Sequence, residues 1–359
     1  MKRRFAARLI SRILMFAGLG LSAVPAFAVP LPPGLHARLE TNKGPITLRL
    51  EYRKAPMTVA NFVGLAEGTI RNTALPPGVP YFDGTVFHRV VPGHVIQAGM
   101  PAGTKLEGPG YEIPNEIDPG LGHGKAGMLG MANSGPHTGG SQFYITLGDR
   151  SYLDGDYTVF GEVESGMEVV NKIVQGDVIE KVTVIRVGDE ARAFKTDDAS
   201  FRKLVEAQKA RVARMEQEKK AAEARTIKER WPRAVSLKPG IATEILRQGQ
   251  GSPAAAAARI TVRYSGEDLY GKSFVSGPDG LPRFGDAAQP FAYTLGTTSV
   301  VPGIDAVLAL MAPGEKRLVI LSPEFGYGLS GFYAKSEPGK KRFVISPNTT
   351  LVYEVEVVK

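Results

Sequence analysis

Apolar and polar residues alternate in short runs along most of this chain, interrupted by an apolar N-terminal stretch and a long charged stretch past the middle. Alternation over a few residues marks half-buried strands, so the chain reads as mainly β with helices. Leu39-Glu40-Thr41 and Ile46-Thr47-Leu48-Arg49-Leu50 flank the turn residues Asn42-Lys43-Gly44-Pro45, the pattern of a hairpin. Residues 58 to 66 place apolar side chains at helical spacing behind Pro56, with Thr58 as the expected cap. They predict a short helix closing one end of a barrel. Further strands are expected over residues 85–90, 96–99, 128–132, 142–146 and 159–163, and a second helix over residues 167–173.

The charged stretch, residues 197–231, is almost free of Gly and Pro. Between Ser200 and Arg230 it holds ten Lys or Arg and five Glu, with Phe201, Leu204, Val205, Val212 and Met215 on one narrow stripe. It predicts one long helix that starts behind Asp197-Asp198, where acidic side chains favour the helix dipole, and ends near Trp231-Pro232. A charge-laced helix of this kind reads as a solvated spacer, with docking along a domain or self-association through the stripe as the alternatives. Beyond it, strands are expected over residues 260–264, 291–295, 316–322 and 350–358, with a short helix over 304–309. The expected organisation is therefore a domain over residues 37–190, a helical linker over 197–231 and a second domain over 236–359.

The ends change the picture of charge. Lys2, Arg3, Arg4, Arg8 and Arg12 precede an apolar run over residues 13–24 and then Ala26-Phe27-Ala28, the pattern of a secretory signal peptide over residues 1–28 cut after Ala28. The run is too short for a spanning helix, which needs about 20 residues. The expected product is exported, to the periplasm, with no stable membrane insertion after processing. The formal charge of +8 falls to +3 once those five basic residues are removed, and a nucleic-acid partner loses its support. The chain has no Cys, which excludes disulfides, thiol catalysis and thiolate metal sites. His88, His94, His123 and His137 lack ligand-like spacing, so no metal or other cofactor is expected.

The chemistry-bearing residues gather around Phe87-His88-Arg89 and, further on, Met131-Ala132-Asn133-Ser134-Gly135-Pro136 and Gly140-Ser141-Gln142-Phe143-Tyr144. They offer one guanidinium, side-chain amides and an apolar floor without a nucleophile or phosphate loop, which suits a reaction that breaks no covalent bond. Order and spacing resemble the cyclophilins, peptidyl-prolyl cis/trans isomerases with a closed β-barrel capped by two helices. The resemblance also takes in Tyr152-Leu153-Asp154-Gly155 and Val159-Phe160-Gly161. It implies Arg89, Gln97 and Gln142 as catalytic residues, and His94, Val95, Ala132, Asn133, Tyr144, Tyr152, Leu153 and Tyr157 as substrate-binding ones. The chain departs from the family pattern at His94, Tyr144, Tyr152 and Tyr157, and the first two make the proline cup more polar.

Near the C-terminus, Arg263-Tyr264-Ser265-Gly266, Gly271-Lys272-Ser273-Phe274, Val300-Val301-Pro302-Gly303-Ile304 and Ser322-Pro323-Glu324-Phe325-Gly326-Tyr327-Gly328 resemble an FKBP-type isomerase domain. That resemblance implies a twisted antiparallel sheet around a short helix, with a proline pocket formed by Tyr264, Phe274, Phe291, Val300, Val301, Ile304, Tyr327, Ile345 and Tyr353. Val275 stands where an acidic residue is common and Ile304 where Trp is common. The expected function is isomerisation of X-Pro bonds in unfolded or flexible proline-containing polypeptides. The alternative is a periplasmic chaperone or binding protein whose FKBP-like domain holds clients without turnover.

Overall fold

The computed structural model describes residues 30–103, 107–285, 287–297, 301–334 and 342–358, and Pro33–Lys359 forms one compact unit. The expected signal segment and Val300 therefore lie outside the described residues. The first half contains β1 (Gly34–Thr41), β2 (Gly44–Leu50), α1 (Pro56–Ala66), β3 (Thr85–Val86), β4 (Arg89–Val91), β5 (Val95–Ala98), β6 (Met128–Met131), β7 (Phe143–Thr146), β8 (Val159–Ser165), α2 (Met167–Val170), β9 (Val178–Val187) and α3 (Asp189–Ala193).

Its nine strands form one sheet in the order β3-β9-β1-β2-β8-β6-β7-β5-β4. The two edges, β3 and β4, are consecutive in the chain and joined by Phe87-His88, so the backbone itself closes the curled sheet. The hairpin of β1 and β2 pairs from Leu35 opposite Leu50 to Thr41 opposite Gly44. Leu35, Ala37, Leu39, Ile46 and Leu48 turn inward and are fully buried, as the two-residue strand period requires.

Helix α1 is apolar on all sides and is buried from Met57 to Ala66, the behaviour of a helix inside a core. Phe62 is its centre, with ring centroids 5.0 Å from Phe82, 5.4 Å from Phe143 and 5.6 Å from Phe160. Burying a side chain of this kind contributes about 1.5–3 kcal/mol. Thr58 is not the cap expected from the sequence. The N-cap position is Ala55, which has no capping side chain. The carboxylate of Glu116 replaces it from another loop, accepting from the backbone N–H of Met57 at 3.1 Å and of Thr58 at 2.8 Å, and from the Thr58 hydroxyl at 2.9 Å. Burial raises the pKa of Glu116 in spite of these bonds.

The second half contains α4 (Asp198–Arg230), β10 (Val235–Lys238), β11 (Ile241–Arg247), β12 (Arg259–Asp268), β13 (Ser273–Ser276), β14 (Pro282–Arg283), β15 (Phe291–Thr294), α5 (Pro302–Leu308), β16 (Lys316–Leu321), β17 (Phe332–Ala334), β18 (Arg342–Ile345) and β19 (Leu351–Val358). An eight-stranded sheet runs β10-β11-β16-β19-β12-β13-β14, with β15 paired to β12. Helix α5 packs Ile304, Val307 and Leu308 into its core beside Val319, Leu321 and Tyr353. The architecture is mainly β with few helices, a curled sheet followed by a second antiparallel sheet around a short helix.

Helix α4 differs from a solvated spacer. Asp197 caps it by accepting from Ser200 N at 3.0 Å, as the acidic pair led one to expect. Phe201 is buried in the first core with Leu204 and Val205 against it, while Ile227 and Trp231 pack on Leu269, Leu318, Ile320 and Val352 of the second half. Between these anchored ends Met215 remains exposed.

Candidate active site

Strand register assembles the site. Arg89 on β4 lies opposite Gln97 on β5, Gln97 lies opposite Tyr144 on β7, and Tyr144 lies opposite Gly130 on β6. Residues directly opposite share one face of a sheet, so these four form a row across neighbouring strands. The intervening residues Ile96, Phe143 and Ile145 face the core and are fully or almost fully buried.

The row opens into a cleft of 1050 Å³ lined by Arg89, His94, Val95, Gln97, Ala132, Asn133, Tyr144, Tyr152, Leu153 and Tyr157 among others. All the cyclophilin-like positions singled out in the sequence except Gln142 therefore border one cavity. Gln142 lies one step behind, where its Oε1 accepts from Gln97 Nε2 at 2.9 Å and its Nε2 donates to the Glu107 carbonyl at 2.7 Å. Gln97 in turn offers Oε1 to Arg89 Nη1 at 3.4 Å. The amide chain thus orients the guanidinium while the Arg89 side chain stays exposed at the cleft mouth.

The floor carries a network that sequence spacing did not reveal. The fully buried His123 lies between Asp154 Oδ1, 2.6 Å from Nδ1, and the Tyr144 hydroxyl, 2.8 Å from Nε2. With the Asp154 carboxylate accepting from Nδ1–H, Nε2 is the acceptor and Tyr144 donates to it. Burial lowers the His123 pKa and pushes the Tyr144 phenol well up, so both groups stay neutral around pH 7. The polar atom of Tyr144 is turned to His123, and its ring meets Tyr157 edge-on at 6.0 Å. Gly130 leaves the space that this ring fills, since a Cβ there would overlap it.

The other histidines also have protein partners. His94 Nδ1 accepts from Arg150 Nε at 3.1 Å, and His137 Nδ1 accepts from Asn115 N at 3.1 Å. Burial lowers the His88 pKa, with the hydrogen bond to Gln142 opposing it. Asn133 directs its amide nitrogen to the Asp156 carbonyl at 3.0 Å, which fixes the cleft wall.

The FKBP-like positions come together as a packed set of rings. The Tyr264 centroid is 5.4 Å from that of Tyr353 and 6.0 Å from that of Phe291, and Phe274 is 5.1 Å from Tyr353. Tyr264, Phe274, Val301, Ile304, Ile345 and Tyr353 are buried, whereas Phe291 and Tyr327 are half-buried beside them. Burial raises the phenol pKa of Tyr264, Tyr327 and Tyr353. Tyr264 donates to the Gly280 carbonyl at 2.8 Å. Val275 is buried, and the nearby carboxylate Asp279 is engaged by Arg283 at 2.6 Å.

Residues 36–189 match the family model for cyclophilin type peptidyl-prolyl cis-trans isomerase/CLD, and residues 251–358 match that for FKBP-type peptidyl-prolyl cis-trans isomerase. Peptidyl-prolyl cis-trans isomerase A of Mycobacterium tuberculosis is 50% identical over 131 residues, which make up 35% of this chain and 72% of that protein. A peptidyl-prolyl cis-trans isomerase of Helicobacter pylori is 44% identical over 150 residues, 41% of this chain and 85% of that protein. Among solved structures, a cyclophilin type peptidyl-prolyl cis-trans isomerase of Cryptosporidium parvum aligns with 28% identity and a TM-score of 0.38, covering 43% of this chain and 98% of that one.

Proposed function

The chain belongs to the cyclophilin-type peptidyl-prolyl cis-trans isomerase family and carries an FKBP-type domain, and from that premise we propose that it accelerates X-Pro rotation in exported, unfolded or flexible polypeptides through Arg89. Rotation about a peptide bond meets a barrier of about 18–20 kcal/mol because conjugation is lost halfway. At that point the prolyl nitrogen regains a lone pair. A donor aimed at it binds the twisted amide better than either planar form, and each ~1.4 kcal/mol of that preference gives about tenfold in rate. No proton has to move, in keeping with a groove whose buried His123 and Tyr144 are neutral.

The observation that carries this reading is the braced guanidinium, with Arg89 held by Gln97 and Gln97 by Gln142 at the mouth of the cleft. Ala132, Val95 and Leu153 supply apolar surface for the proline ring, and the backbone around Asn133 can pair with an extended substrate. In a proline-limited refolding assay, Arg89→Ala is expected to lower kcat/KM by about a hundredfold, the usual cost of losing a transition-state donor. Turnover that is retained in Arg89→Ala and persists when Tyr327→Ala is added in the FKBP-like pocket would remove the assignment.

Export rests on the basic, apolar and Ala26-Phe27-Ala28 succession together with the lack of Cys. Sequencing the N-terminus of the secreted protein tests it, with Val29 as the expected first residue. A second reading applies to the FKBP-like domain alone, which would hold proline segments without turnover. It is favoured by the mutual packing of Tyr264, Phe274 and Tyr353 and by the absence of an acidic side chain at Val275. Refolding catalysis by the protein carrying Arg89→Ala measures what that domain contributes.

A further inference from the structure

A second cleft, of 490 Å³, continues from the isomerase groove. Asn133, Tyr152, Leu153 and Tyr157 line both cavities. Its opposite wall comes from the other half of the chain, from Leu329, Ser330, Phe343 and Pro347. Among the described residues that line it, Asp156 is the one acidic side chain and no Lys or Arg is present. Pro136, Leu153, Leu329, Phe343 and Pro347 give it apolar surface, which suits a neutral, apolar side chain. Leu329 is 61% exposed at this wall.

Both walls are fixed, and helix α4 holds them. Gln208, buried on that helix, donates to the Asn115 carbonyl at 2.7 Å. Asn115 itself donates to the Asp156 carbonyl at 2.8 Å, on the near wall. Lys219, eleven residues further along α4, donates to the Asn348 carbonyl at 2.8 Å beside Pro347. Glu223 accepts from Thr350 at 2.8 Å, and Asn348 N bonds the Gly328 carbonyl at 2.8 Å next to Leu329. Eleven residues of α-helix span about 16 Å, so one rigid element sets the distance between the walls.

We propose that this cleft is an extension of the substrate site, in which the FKBP-like half presents Leu329 and Phe343 to an apolar client side chain flanking the proline that turns at Arg89. The inference rests on the isomerase reading and deepens it. Clients would be extended segments with Leu, Phe or similar residues near the proline, and the two halves would read one segment together.

The test compares kcat/KM for a short X-Pro peptide, too small to reach Leu329, with a longer one carrying Leu and Phe on both flanks of the proline. The longer peptide is ~12 residues, about 40 Å when extended. The full chain is expected to favour the longer peptide by about tenfold, as one well-buried apolar side chain allows. That ratio should collapse in Leu329→Asp. It should collapse equally on insertion of two alanines after Met215, which rotates the far wall by about 200° around the helix and touches neither half. Circular dichroism confirms folding of both variants. A ratio of one in the unmodified chain, or a ratio unchanged by both variants, would overturn the composite cleft while short-peptide turnover leaves the isomerase reading intact. No turnover of either peptide by the unmodified chain would overturn both.

Discussion

In the nine-stranded half the residues around the groove are held by hydrogen bonds between side chains, whereas in the eight-stranded half the corresponding set is held by ring packing. Gln97, Gln142 and Arg89 form one polar chain, and Tyr144, His123 and Asp154 form another. Tyr264, Phe274, Phe291 and Tyr353 instead lean on one another edge to face. The first scheme separates function from stability at Arg89, Gln97 and Gln142, whose polar tips stand outside the core. In the second scheme the proposed binding residues are the core, so altering recognition there would also alter folding.

The largest effect should come from Tyr353→Ala, which removes a fully buried ring and is expected to cost the second half about 4 kcal/mol. Trp231, the only Trp in the chain, packs on that half and reports its unfolding by fluorescence in denaturant titrations. A loss under about 1 kcal/mol would break the comparison, because it would mean the rings are not structural. Next, Glu116→Ala leaves the N-terminus of α1 without its surrogate cap, at an expected cost of about 2 kcal/mol to the first half. Circular dichroism should record that loss while the Trp231 signal keeps its midpoint.

Gln97→Ala sharpens the contrast from the functional side. With the guanidinium unbraced, kcat/KM should fall about tenfold, a difference of about 1.4 kcal/mol, with stability changed by under about 0.5 kcal/mol. Equal losses in activity and stability would erase the distinction between the halves. The smallest effect concerns acid. Burial holds the His123 pKa below its ordinary value of about 6.5, so the unfolded chain takes up that proton more readily than the folded one. The associated stability is complete above the ordinary value and is lost as pH falls from there toward the folded value. Denaturation midpoints near pH ~7.5 and ~5.5 should differ less in His123→Gln than in the unmodified chain. A residual slope should remain, because His88 is shifted the same way by burial.

The residues that carry the groove were legible because most fall in contiguous motifs, although β6 and β7 are buried at every position and do not alternate. Strand β9 was not legible, although β1 pairs with it along its whole length. Glu180, Lys181 and Arg186 interrupt its apolar pattern, and only Ile179 and Val182 in it are buried. The expected strand over residues 85–90 is two short ones, because the chain crosses from one sheet edge to the other at Phe87-His88. Thr58 carried a capping signal, yet its hydroxyl serves Glu116, a partner 58 residues away that no local pattern can announce. His123 was weighed as a metal ligand. Its actual partners lie 21 and 31 residues away, beyond the reach of any local pattern. The charged stretch gave a correct helix and, as an alternative, docking through the Phe201, Leu204 and Val205 stripe, but not the docking of Ile227 and Trp231, which lie too far along the helix to share that stripe.

The missing side chain at Gly130 has a consequence for how this protein can change. Any Cβ at that position would collide with the Tyr144 ring, and a displaced ring would strip His123 of its phenol partner inside a dry interior. Positions 123, 130 and 144 are thus locked into a single heritable unit. Exchanging one of them without the others leaves an overlap, an abandoned imidazole or an abandoned phenol, so a redesign of this part of the groove has to weigh all three together.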